Sequence, residues 1–115
     1  MKLMTKEIEK RLEKFPLYAQ DGKSEEEKTV VCKFFAPWGN WTWYVLEGSK
    51  IEDGYGEKGD WEFFGLTVGD FTEYGYFTLS DLESIGGPWG LKIERDMYFT
   101  PCKLSEVLKD EVGVW

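Results

Sequence analysis

The 115 residues contain no histidine. That absence removes the commonest general base, the usual nucleophilic triads and most transition-metal sites. Any catalysis would fall to carboxylates, lysine, tyrosine or a thiol, and the reading leans away from an enzyme without excluding one. Cysteine is nearly absent too. Cys32 and Cys102 stand alone, and two thiols without an imidazole do not make a standard zinc site. No metal and no cofactor is therefore expected. No apolar run is long enough to cross a bilayer. The first residues, MKLMTKEIEKRLEK, carry a charge at every second or third position, unlike the apolar centre of a secretory leader. A cytoplasmic location is expected, with both cysteines as free thiols. On that expectation the sequon Asn40-Trp41-Thr42 has no consequence.

What the chain has in quantity is aromatic side chains and acid. Aromatics make up 17% of it, and half of the twelve residues Lys33–Tyr44, KFFAPWGNWTWY, are aromatic. Pro37-Trp38-Gly39-Asn40 sits in the middle as a turn signal between two strand-like runs. We read this stretch as a hairpin whose strands supply much of the core of one 115-residue domain. The net charge of −8 is uneven. Residues 47–83 hold ten acids against Lys50 and Lys58, while the segments on either side nearly balance. Such a surface repels phosphate backbones, so direct nucleic-acid binding is not expected, and it attracts basic protein surfaces. The plainer reading is that the acids keep an aromatic-rich protein in solution.

Taken in order, Thr5 caps a helix to about Phe15, with Ile8, Leu12 and Phe15 on one stripe and Pro16 ending it. Leu17–Gln20 reads as a short strand and residues 21–28 as a polar loop. Thr29–Ala36 is a strand, with Val30, Cys32 and Phe34 on one face and Val31, Lys33 and Phe35 on the other. Its partner Trp41–Glu47 alternates Trp41, Trp43 and Val45 against Thr42, Tyr44 and Leu46. Both faces are apolar, as in a central strand covered on both sides, or covered on one and grooved on the other. Trp61–Val68 and Phe71–Thr78 continue an antiparallel meander through a tight turn at Gly69-Asp70. Thr78–Asp81 resembles a capping box opening a helix Leu79–Ile85, stopped by Gly86-Gly87-Pro88. A strand over Ile93–Thr100 and a helix from Thr100-Pro101 to about Lys109 complete the chain. The sum is an α+β fold: an antiparallel sheet of about five strands, with N- and C-terminal helices and one short helix packed on it.

Chemistry has few places to sit. Gly54–Gly59 matches G-x-G-x-x-G, but no helix follows it, and Glu52, Asp53, Glu57 and Asp60 would repel a phosphate. The same acids lack the spacing of a calcium loop. Cys32 reads as a buried, inert thiol. Cys102, at the expected start of the last helix, is better placed for a thiolate but has no partner base. Glu94, Arg95 and Asp96 form the most interesting charged cluster: an arginine in a sheet grips carboxylates in bidentate fashion, and the plainer reading is a structural ion pair. Trp38, Trp41, Trp43, Tyr44 and Trp89 are candidate partner contacts, together with Glu52, Asp53, Glu57 and Asp60, although such rings serve as core more often.

LYAQDGK at 17–23, KFFAPWGNWTWY at 33–44, FFGLTVG at 63–69 and GYFTLSDLESIGGPWGLKIERDMYF at 75–99 resemble, in order, a family of small bacterial proteins known only as a domain of unknown function. The resemblance implies a bacterial cytoplasm and a setting on plasmids, integrative conjugative elements and phage-like islands. It implies no activity and carries over no catalytic residue. The leading expectation is a non-enzymatic protein-binding module of a mobile element, a monomer or homodimer without membrane contact, with an anti-defence role through an acidic, DNA-mimicking surface as its sharpest form. The alternatives are a small-ligand binder or enzyme using Glu94, Arg95 and Asp96, and an accessory subunit of conjugation machinery.

Overall fold

In the computed structural model, which describes residues 1–51 and 59–112, the aromatic hairpin becomes the middle of a sheet. The elements in chain order are α1 (Lys6–Leu12), β1 (Thr29–Val30), β2 (Cys32–Phe35), β3 (Thr42–Lys50), β4 (Trp61–Val68), β5 (Thr72–Thr78), α2 (Leu79–Ser84), β6 (Glu94–Arg95), β7 (Cys102–Lys103) and α3 (Leu104–Val112). Five strands form an antiparallel sheet in the order β5-β4-β3-β2-β6, and β1 pairs with β7 beside it. The α+β expectation therefore holds, including the meander from β2 to β5.

The central strand β3 explains the layering. Trp43 and Val45 point to one side, where Leu3, Met4, Ile8 and Leu12 of the α1 region and Leu79 and Leu82 of α2 cover them. Tyr44 and Leu46 point to the other side, where Leu104, Val107 and Leu108 of α3 cover them. The sheet thus lies between helices, and two apolar faces on one strand are the direct consequence. A bulge between Val45 and Glu47 re-aims the end of β3, and the Glu47 carboxylate turns inward to accept from the backbone N–H groups of Tyr18 and Gln20 at 2.8 and 2.7 Å.

Several local expectations change. The run Thr29–Ala36 is not one strand, because it breaks at Val31. Below the break Val30 joins the α3 side; above it Val31 joins Cys32 and Phe34 on the α1 side, so the alternation slips by one residue. Two short outer strands share this run: β7 takes Thr29 and Val30, and β6 takes Phe34 and Phe35. Leu17–Gln20 is a turn, with Tyr18 in the left-handed region at φ 73°, held by the Glu47 carboxylate that local sequence does not reveal. Buried Gln20 braces it further: its amide donates to the carbonyls of Thr29 and Leu46 at 2.9 and 2.8 Å and accepts from the Thr29 N–H at 2.7 Å. The strand expected over Ile93–Thr100 stops at Arg95, because the Asp96 side chain accepts from the Tyr98 N–H at 2.9 Å and folds the backbone into a turn. The first helix ends at Leu12 and continues only as a tight turn in which Phe15 N–H donates to Leu12 at 3.0 Å. Between α2 and β6 lies a single 3-10 turn, Pro88–Gly90, with Trp89 at φ 56°.

The candidate functional site: a tryptophan slot

Three of the five singled-out aromatic residues come together. Trp38, Trp41 and Trp43, with Ala36, Ile85 and Gly86, line a cavity of about 380 Å³ on the α2 side of the sheet. The hairpin turn places Trp38 and Trp41 around its mouth, and the alternation of β3 sends Trp43 to its floor. Trp43 is 9% exposed, and Trp41, at 36%, stacks on it with ring centres 6.3 Å apart. Two glycines seat the outer rings. A Cβ at Gly69 would stand 2.3 Å from the Trp41 indole, and one at Gly87 would stand 2.4 Å from that of Trp38. Real side chains do not approach so closely, so each indole lies over bare backbone. Both glycines were legible as turn or stop signals; their role as seats was not, since it depends on elements distant in sequence.

The other aromatics lie elsewhere. Tyr44 is buried under α3, with its hydroxyl bonded to the Glu111 carboxylate; burial first, and then Glu111, push its phenol well above the ordinary range. Trp89, 94% exposed, stands on the turn after α2 outside the slot. Tyr18, Tyr74 and Tyr76 form a further exposed group with half-buried Phe64. Tyr76 packs on Phe64 at 5.0 Å and on Tyr18 at 6.5 Å, and Tyr74 stacks on Phe64 at 6.3 Å.

The acids of the middle segment divide by job. Glu52, Asp53 and Glu57, with all of the G-x-G-x-x-G match except Gly59, lie outside the described residues. Glu47 and Asp60 are buried. Asp60 accepts from the N–H groups of Trp61 and Ser80 at 2.8 and 3.0 Å and from the Ser80 hydroxyl at 2.6 Å. Burial raises its pKa, but the Ser80 and Trp61 donors outweigh that and hold it below the ordinary 3.8. Asp81 closes the capping box of α2. Glu62, Asp70, Glu73 and Glu83 remain for the surface.

The three members of the charged cluster take separate partners. The Arg95 guanidinium donates to the carbonyl of Lys2, and the Asp96 carboxylate lies 3.7 Å from Lys33 Nζ. Glu94 pairs with Phe35 in the sheet. Arg95 and Asp96 do line a cavity of about 190 Å³ with Arg11 and Cys32, but its other arginine is engaged as well: Arg11 donates to Glu7 at 2.5 Å and to the Val31 carbonyl at 3.2 Å. Cys32 is buried, and burial pushes its thiol up to about 12 against the pull of Arg11 and Arg95. Cys102 does not open a helix. It lies in β7, and burial first, then Glu106 and Asp110, raise its pKa. The helix N-terminus it was expected to occupy begins at Leu104 and is closed by the polar loop, whose Lys28 and Glu25 carbonyls accept from Leu104 and Ser105 N–H at 2.9 and 3.1 Å.

These features define a small α+β protein with an aromatic slot beside the hairpin turn and no described helix long and apolar enough to cross a membrane. The chain belongs to the DUF2958 family of proteins of unknown function, whose model matches residues 3–110. No curated protein and no solved structure matches it.

Proposed function

We propose that this protein is a non-enzymatic protein-binding module whose contact surface is the slot formed by Trp38, Trp41 and Trp43. The carrying observation is the convergence of three indoles on one open apolar cavity of about 380 Å³. Buried tryptophans that only fill a core leave no such space, and pocketed tryptophans are frequent anchors of interfaces. Net charge selects the partner: a chain at −8 attracts a basic protein, and a lysine or arginine side chain entering the slot meets indole faces that favour a cation. The sharper form of this reading is an anti-defence protein of a mobile element that occupies the basic channel of a nucleic-acid-cutting effector. Surface acids Asp70, Glu73 and Glu83 support it. Glu47 and Asp60 are turned inward and Asp81 is engaged in the α2 capping box, which favours the slot over a sheet of acid as the contact.

The test is capture of partners from bacterial lysate by the wild type, Trp38→Ala, Trp41→Ala and, as a control outside the slot, Trp89→Ala. A basic partner lost with the two slot variants and kept with Trp89→Ala is the expected result. A partner indifferent to Trp38 and Trp41 overturns the reading. Loss of that partner only on a high-salt wash would move the contact to the acids.

A further inference from the structure

The two edges of the sheet differ. β6 closes one edge with two residues, the short kind of edge that resists further pairing. β5 forms the other with seven, in unbroken register against β4 from Val68↔Thr72 to Glu62↔Thr78. Among the described residues, no backbone hydrogen bond outside that ladder involves Thr72–Phe77. Of the usual defences of an exposed edge the strand has a single charge, Glu73, and no lysine, proline or bulge. It also carries Tyr74 and Tyr76, both exposed.

The sequence of β5 says what pairs with it. Thr72-Glu73-Tyr74-Gly75-Tyr76-Phe77-Thr78 is nearly the same read in either direction about Gly75. In an antiparallel pair with a two-fold axis at Gly75, Tyr74 of one copy faces Tyr76 of the other and Thr72 faces Thr78. Aromatic and threonine pairs of this kind stabilise antiparallel ladders. Glu73, the only charge in the strand, falls opposite Phe77 rather than opposite itself. Gly75 meets its own copy on the axis, where an added Cβ finds nothing within 4 Å in the monomer. We propose that β5 pairs with β5 of a second copy about Gly75, joining two sheets into one continuous ten-stranded sheet. Both copies carry −8, so screening strengthens this contact, whereas it would weaken the docking of a basic strand on the same edge.

The experiment is sedimentation equilibrium of the purified full chain at low and high salt, with Gly75→Lys and Gly75→Glu alone and mixed. The open space at Gly75 lets each variant fold, which circular dichroism checks. The expected result is a wild-type dimer that tightens with salt, a roughly fivefold weaker dimer for either variant alone because like charges meet on the axis, and recovery when the two are mixed. A wild type that stays monomeric at both salts overturns the proposal. So does a dimer that loosens with salt, a dimer indifferent to Gly75→Lys, or a mixture that fails to recover. Trp89, 94% exposed on the turn after α2, belongs to neither β5 nor the slot, so Trp89→Ala should dimerise as the wild type does.

Discussion

At the scale of single residues, the strongest constraints belong to groups that the sequence presents as ordinary. Gly65 looks like a weak point within a strand, yet a Cβ there would stand 2.0 Å from the Tyr44 carbonyl oxygen. Gly65→Ala should lower stability by about 3 kcal/mol in urea unfolding, whereas Gly75→Ala, in open space, should stay within about 0.5 kcal/mol. Asp60, in sequence one more acid beside the loop, is a buried acceptor for three donors. Its folded pKa lies below 3.8, so its contribution is present above that value and fades as pH falls through the folded pKa. Asp60→Asn should cost about 2 kcal/mol at neutral pH and flatten the acid limb of a stability-against-pH curve. Glu47 and Gln20 show why such roles escaped sequence reading. Each acts on backbone far away in the chain, and nothing in the local pattern marks an acid or an amide that turns inward.

At the scale of elements, the sequence was most readable where a signal is local and complete. Thr78 and Asp81 close a full capping box at the start of α2, and Thr78→Ala should remove about 1 kcal/mol, measurable by thermal unfolding. Trp61–Val68 and Thr72–Thr78 follow their alternation, and β3 runs on past the expected Glu47 to Lys50. The misread elements were those whose ends are set by partners. Thr29–Ala36 divides at Val31 because two different strands pair with its halves. The start of α3 is closed by carbonyls from the 25–28 turn rather than by a side chain, which leaves no mark in the residues that precede a helix.

At the scale of the whole molecule, burial on both faces of the sheet gives Cys32 a reporting role. Its thiol is buried and pushed up to about 12, so a thiol reagent at mildly alkaline pH should label it only when the protein opens globally. A raised thiol pKa also means that stability holds below the unfolded value of 9.0 and declines as pH climbs toward 12; Cys32→Ala should soften that decline. The fold class was legible at this scale because hydrophobic periodicity encodes layers. The slot was only partly so: the indoles were visible, but their meeting with Ile85 and Gly86 depends on α2 returning to the hairpin. Trp89 has one further consequence. It stands almost fully in water on a left-handed turn, an inviting bond for chymotrypsin. A nick there would free nothing at once, since the piece beginning at Gly90 still supplies β6 to one strand and α3 to the opposite face. Limited chymotrypsin digestion should therefore give two pieces, one ending at Trp89 and one beginning at Gly90, that still elute together on size exclusion.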